Sequence, residues 1–174
     1  MKKTYLFLFI IIAAGLISSS CKSDDDGGGG GSAANGTITA KVNGSSVTTM
    51  KEVTFAYNVS GTLTIQGNTG GTSSKAFSLL INGIDGTGTY PIGGGANIAN
   101  SASYMEIEVD MSNPQNSITH TWQAPYDSNQ VGEINISELT QTNVKGTFSY
   151  TAKNVLGDGS TKTITEGSFN VNIQ

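Results

Sequence analysis

From Tyr104 to Met111 the chain alternates without a break: Met105, Ile107, Val109 and Met111 fall on one side, and Glu106, Glu108 and Asp110 on the other. A period of two is the signature of an extended strand with one face turned to a core, and no helix can use it. The same period recurs along the chain. Ile38, Ala40 and Val42 alternate with polar residues, followed by Val53, Phe55, Tyr57 and Val59, then Leu63 and Ile65, then Phe77, Leu79 and Ile81. Further on come Ile118, His120, Trp122 and Ala124, then Ile134 and Ile136, then Val144, Phe148, Tyr150 and Ala152, with Gly146 at an inward position, and finally Phe169, Val171 and Ile173. Glycine and asparagine clusters punctuate the runs, as turns between strands require. Each run is expected to bury its apolar face. The pattern predicts an all-β protein of about ten antiparallel strands folded as a β-sandwich, with a closed up-and-down β-barrel as the alternative.

Two local features refine the C-terminal region. Leu156-Gly157-Asp158-Gly159-Ser160 is a turn sequence, because Asp and Gly tolerate the positive φ that tight connections use. The parity of apolar residues changes between Ile164 and Phe169, with Gly167 in the gap, which predicts a β-bulge in a long antiparallel hairpin.

The first 34 residues follow different rules. Lys2 and Lys3 precede an apolar run from Tyr5 to Ile17 and then small residues up to Cys21, the order of a secretory signal, and the run is too short to span a bilayer comfortably. Cys21 is the only cysteine, so no intramolecular disulfide can form. The layout resembles the N-terminus of a bacterial lipoprotein, with Ser18 standing where the usual lipobox has leucine. The acidic stretch Lys22, Ser23, Asp24, Asp25 and Asp26 resembles the surface-export signal of Bacteroidota lipoproteins. The resemblance implies lipid attachment at Cys21 and anchoring in the outer membrane, facing the cell exterior. Several acyl chains, each buried methylene contributing about 0.8 kcal/mol, make such an anchor effectively permanent. Gly27 to Gly31 with Ser32, Ala33 and Ala34 lack the apolar surface for a core and read as a tether. The expected organisation is a signal peptide over 1–20, an anchor, export signal and tether over 21–34, and a single β domain over 35–174.

Within that domain, Gly88-Thr89-Tyr90, Gly132 to Ser137, Lys145 to Tyr150 and Glu166 to Val171 resemble a family of uncharacterised Bacteroidota lipoproteins, which implies a fold and an address but no catalytic residues.

Composition excludes several functions. All nine basic residues are lysine, against thirteen Asp and Glu. Without arginine or a basic stripe the chain lacks the donors that phosphate backbones call for, so nucleic acid is not an expected partner. One histidine and one committed cysteine leave no zinc site and no serine or cysteine triad, and no cofactor is expected. Glu106 and Glu108 lie about 6.6 Å apart along a strand, a spacing that allows a glycan hydrolase but that any acidic strand shares. With Asp110 they are the weak candidates for calcium, and lysines of a neighbouring strand such as Lys75 or Lys145 would balance their charge equally well. Trp122, Gln123 and Tyr126, with His120 on the tryptophan face, are the candidate ligand residues: a stacking platform for a sugar ring if Trp122 is exposed, or core packing if it is not. The expected function is a non-catalytic, lipid-anchored surface module that binds a ligand, carbohydrate being the small-molecule candidate. The alternatives are an accessory lipoprotein that meets protein partners through sheet edges, and a hydrolase using Glu106 and Glu108.

Overall fold

Alternation and turn chemistry translate into eleven strands in the computed structural model, which describes residues 32–95 and 99–174. The expectations for the signal peptide, for Cys21 and for Lys22, Ser23, Asp24, Asp25 and Asp26 lie outside the described residues. The strands are β1 (Thr37–Val42), β2 (Ser45–Thr48), β3 (Thr54–Val59), β4 (Thr62–Asn68), β5 (Ser73–Asn82), β6 (Gly88–Ile92), β7 (Ser101–Glu108), β8 (Ile118–Ala124), β9 (Gly132–Leu139), β10 (Asn143–Lys153) and β11 (Thr161–Asn172). Two short 3-10 turns, at Lys51–Val53 and Pro114–Asn116, lie between the strands. Asn43 and Gly44, both at positive φ, form the tight β1–β2 connection, as the primed hairpin turns require.

The strands form one antiparallel sheet in the order β2-β1-β11-β10-β8-β7-β5-β4-β3, with β9 on β10 and β6 on β9. The sheet forks at β10. Residues Val144 to Tyr150 pair with β9, whereas β8 meets β10 only where Gln123 faces Lys153. The far strand curls back until Ala56 of β3 bridges Ile173, and the Gln174 N–H donates to the Ala56 carbonyl at 2.9 Å. The result is a sandwich-like half-barrel, and its strand order crosses over in sequence instead of running up and down.

Rings fill the interior. Tyr104, Phe77 and Phe169 are among its largest fully buried side chains. Phe77 packs on Tyr104 with centroids 5.5 Å apart and edge-on against Phe148 at 5.9 Å, and Phe148 stacks on Phe169 at 6.2 Å. Burial of each such side chain stabilises the fold by roughly 1.5–3 kcal/mol. Gly146 is required beside them, because an added Cβ would lie 2.0 Å from the Asn135 carbonyl oxygen and 2.5 Å from the Phe169 ring. The expected bulge is present: Phe148 pairs with Gly167 and Tyr150 with Ile164, so Thr165 and Glu166 together oppose Ser149, and Glu166 has a φ of 51°. The parity of inward residues flips across it.

Two strands turn opposite faces to the core from those the alternation suggests. In β7 the inward residues are Ala102, Tyr104 and Glu106, while Met105 and Ile107 lie half-buried on the outer surface, and the strand ends before Asp110 and Met111. The reason is register: Phe77, Tyr104 and Trp122 form one cross-strand row, and that row decides the face. In β3, Thr54 and Ala56 point inward while Phe55, Tyr57 and Val59 point out. At this seam the last strand of the sheet meets the chain leaving β11, and small residues take the inner positions.

Candidate functional site

Strand β8 carries three of the four candidate ligand residues, and strand geometry separates them. Trp122 points inward and is 5% exposed, whereas Gln123 points outward into solvent. Tyr126 lies half-buried beyond the cis Ala124–Pro125 bond, and His120 is exposed on the inner side nearer the strand start. The four do not form one platform. The indole of Trp122 is instead held by its surroundings: its Nε1–H donates to Ser160 Oγ at 2.9 Å, Tyr104 packs 5.8 Å away, and the Lys162 ammonium lies 4.4 Å from the ring centroid.

The same lysine ties the acidic residues into this arrangement. Lys162 Nζ donates to Glu106 Oε1 at 2.9 Å, and the Tyr104 hydroxyl donates to the same oxygen at 2.9 Å. Lys75 stands opposite Glu106 in register. Partial burial pushes the Glu106 carboxyl up, but the hydrogen bonds from Lys162 and Tyr104 and the charges of Lys162 and Lys75 outweigh it, so its pKa falls below the ordinary value. Burial, with the hydrogen bond to Glu106 and its charge, pushes the Tyr104 phenol up. A general acid needs a raised carboxyl pKa, and Glu106 has the reverse. Glu108 sits at the exposed strand end. Asp110 closes the following loop, accepting from the Ser112 hydroxyl at 2.6 Å and from the Ser112 and Asn113 amides at 2.9 and 3.0 Å. The three acids expected to share one ladder thus have separate partners or surroundings. Among the described residues no group of three or more His, Cys, Asp or Glu is placed to hold a metal ion.

The concave feature of this region lies on the other side of β8. Beyond the Gln123–Lys153 pair, β10 leads into a turn held by the Asn154 N–H on the Ser160 carbonyl at 2.8 Å and the Gly159 N–H on the Asn154 carbonyl at 3.0 Å. Between this turn and β8 lies a cleft of about 400 Å³, with Thr119, His120, Thr121 and Gln123 on one wall and Asn154, Val155, Leu156 and Gly157 on the other. Leu156 is 97% exposed and Val155 52%. Asp158 stands close by, its carboxyl held below the usual range by the Ser160 hydroxyl and amide, with a smaller contribution from His120. The cleft therefore joins two of the anticipated ligand residues, His120 and Gln123, to turn residues the alternation did not single out. The available signal was the Val155-Leu156 pair, two apolar residues placed in a turn where no strand periodicity accounts for them. A second, shallower groove of about 330 Å³ lies on the outer face over Val53, Phe55, Met105 and Ile107.

A family model described as a domain of unknown function, DUF6252, matches residues 34–171. No curated protein and no solved structure matches the chain.

Proposed function

We propose that this chain, which belongs to the DUF6252 family, is a non-catalytic interaction module, lipid-anchored through Cys21 at the cell surface, that contacts protein partners through the cleft beside β8. The observation that carries this reading is the place of Trp122. The one tryptophan is spent on core packing, so the ring expected to stack on a sugar beside β8 is withdrawn from the surface. What remains exposed near β8 is an apolar turn and a strand edge, both suited to polypeptide. The pairing of Glu106 with Lys162 and Tyr104 supports the non-catalytic part. The address rests on the signal-like run up to Cys21 and on the acidic residues Asp24, Asp25 and Asp26 that follow it.

A second reading keeps carbohydrate as the ligand. It is favoured by His120 and Gln123 sharing the cleft with the hydroxyls of Thr119 and Thr121. The two are separated by placing a photo-cross-linking residue at Leu156 in the full chain on intact cells and, in parallel, probing a neutral glycan panel with wild type and with His120→Ala/Gln123→Ala. A discrete protein adduct together with no glycan binding is expected. Glycan binding lost in the double variant, with no protein adduct, overturns the protein-partner reading in favour of the second.

A further inference from the structure

We infer that the free edge of β8 receives an extended segment of a partner polypeptide, without acidic side chains, which adds to the sheet as one more strand inside the cleft. This rests on the protein-partner reading above and names the chemistry of that contact.

A strand edge offers a row of backbone donors and acceptors that another chain can pair with, and folded β proteins blunt such edges. This sheet does so at its other margins. β2 is four residues long, β6 carries Pro91, which has no N–H to give, and β3 is met by Ile173 and Gln174. Among the described residues, the edge from Ile118 to Trp122 toward β10 has none of these devices. Its pairing with β7 runs without a shift from Ala102–Ala124 to Glu108–Ile118, so the edge is straight, and no proline or lysine lies within it. Over roughly 14 Å it presents backbone groups at the repeat of a strand, a pattern that an extended polypeptide matches and a sugar does not.

The cleft also limits what can enter. Its far wall is the turn from Asn154 to Gly157, so a second folded sheet is obstructed while a single extended segment is not. Apart from His120 the lining side chains carry no titratable group. With no lysine in the lining and Asp158 close by, an acidic side chain from the partner would lose water there without gaining an opposite charge, which selects a segment free of acidic residues. Val155 and Leu156 supply apolar contact for every second side chain of the incoming strand.

The test uses the full chain in detergent micelles and amide hydrogen exchange read by mass spectrometry. The probes are terminally blocked peptides of about eight residues: alternating Thr and Val, alternating Thr and Asp, and the Thr–Val peptide N-methylated on every second residue in each of the two registers. The Thr–Val peptide is expected to slow exchange over Ile118 to Trp122 and the Thr–Asp peptide to leave it unchanged. At least one N-methylated form should bind about tenfold more weakly, since methylation removes the donors aimed at β8. Leu156→Asp, a change at an exposed position, should weaken protection without altering the exchange of the core strands. Undiminished binding by both N-methylated forms, protection confined to β2, β3 or β6, or no protection anywhere overturns the inference. Failure of the broader reading shows separately, as absence of a protein adduct in the cross-linking experiment.

Discussion

At Trp122 a single side chain bears on both proposed functions, and its neighbours fix where it lies. The indole N–H is satisfied by Ser160, one side of the ring carries Lys162, and Tyr104 packs against it. Lys162 is fixed in turn by Glu106, so a ring, a cation and a carboxylate hold one another. Because the folded pKa of Glu106 lies below its unfolded value, its contribution to stability is fully present above the unfolded value. It is lost as the pH falls through the folded one. The difference in urea midpoint between wild type and Glu106→Gln should therefore be widest near neutral pH and shrink on acidification below about pH 4. A difference constant with pH would contradict the ion pair. Gly146 makes a second residue-scale test: with no room for a Cβ between Asn135 and Phe169, Gly146→Ala should cost at least about 1–3 kcal/mol in chemical denaturation.

Among the elements, β7 separates what the sequence contains from what it leaves open. Its alternation identifies a strand, and a strand it is. Which face turns inward is set by partners distant in sequence: Tyr104 is drawn inside by Phe77 on β5 and Trp122 on β8, carrying Glu106 in with it. The apolar count of Met105, Ile107, Val109 and Met111 pointed the other way because four apolar side chains outnumber the single ring of Tyr104 on the opposite face. β1, β4, β8, β10 and the bulge in β11 were legible because their inward residues are mostly apolar or because glycine marks the irregularity. The cleft was not legible, since it exists only because β10 touches β8 at one pair and then turns away. The inverted face of β7 has a direct check. Tyr104→Ala should lose about 3–5 kcal/mol of stability, whereas Ile107→Thr on the half-buried outer face should lose under about 1.5 kcal/mol. The reverse order would restore the alternation as first read.

For the whole molecule, the chain combines a β domain whose interior is closed by aromatic packing with an N-terminal segment read as an anchor. If Cys21 holds that anchor, Cys21→Ser should move the protein from the detergent-soluble membrane fraction to the aqueous one, with the thermal transition of the β domain unchanged. On the proposed reading, the surface used for recognition is the strand edge and turn beside β8. That division of labour depends on the interior being sealed, and Trp122, the sole tryptophan, reports on it without interference. Its fluorescence in the full chain should be blue-shifted, resistant to acrylamide quenching and unaltered by neutral glycans. A red-shifted, readily quenched emission that responds to a glycan would place the ring at the surface and contradict the protein-contact function.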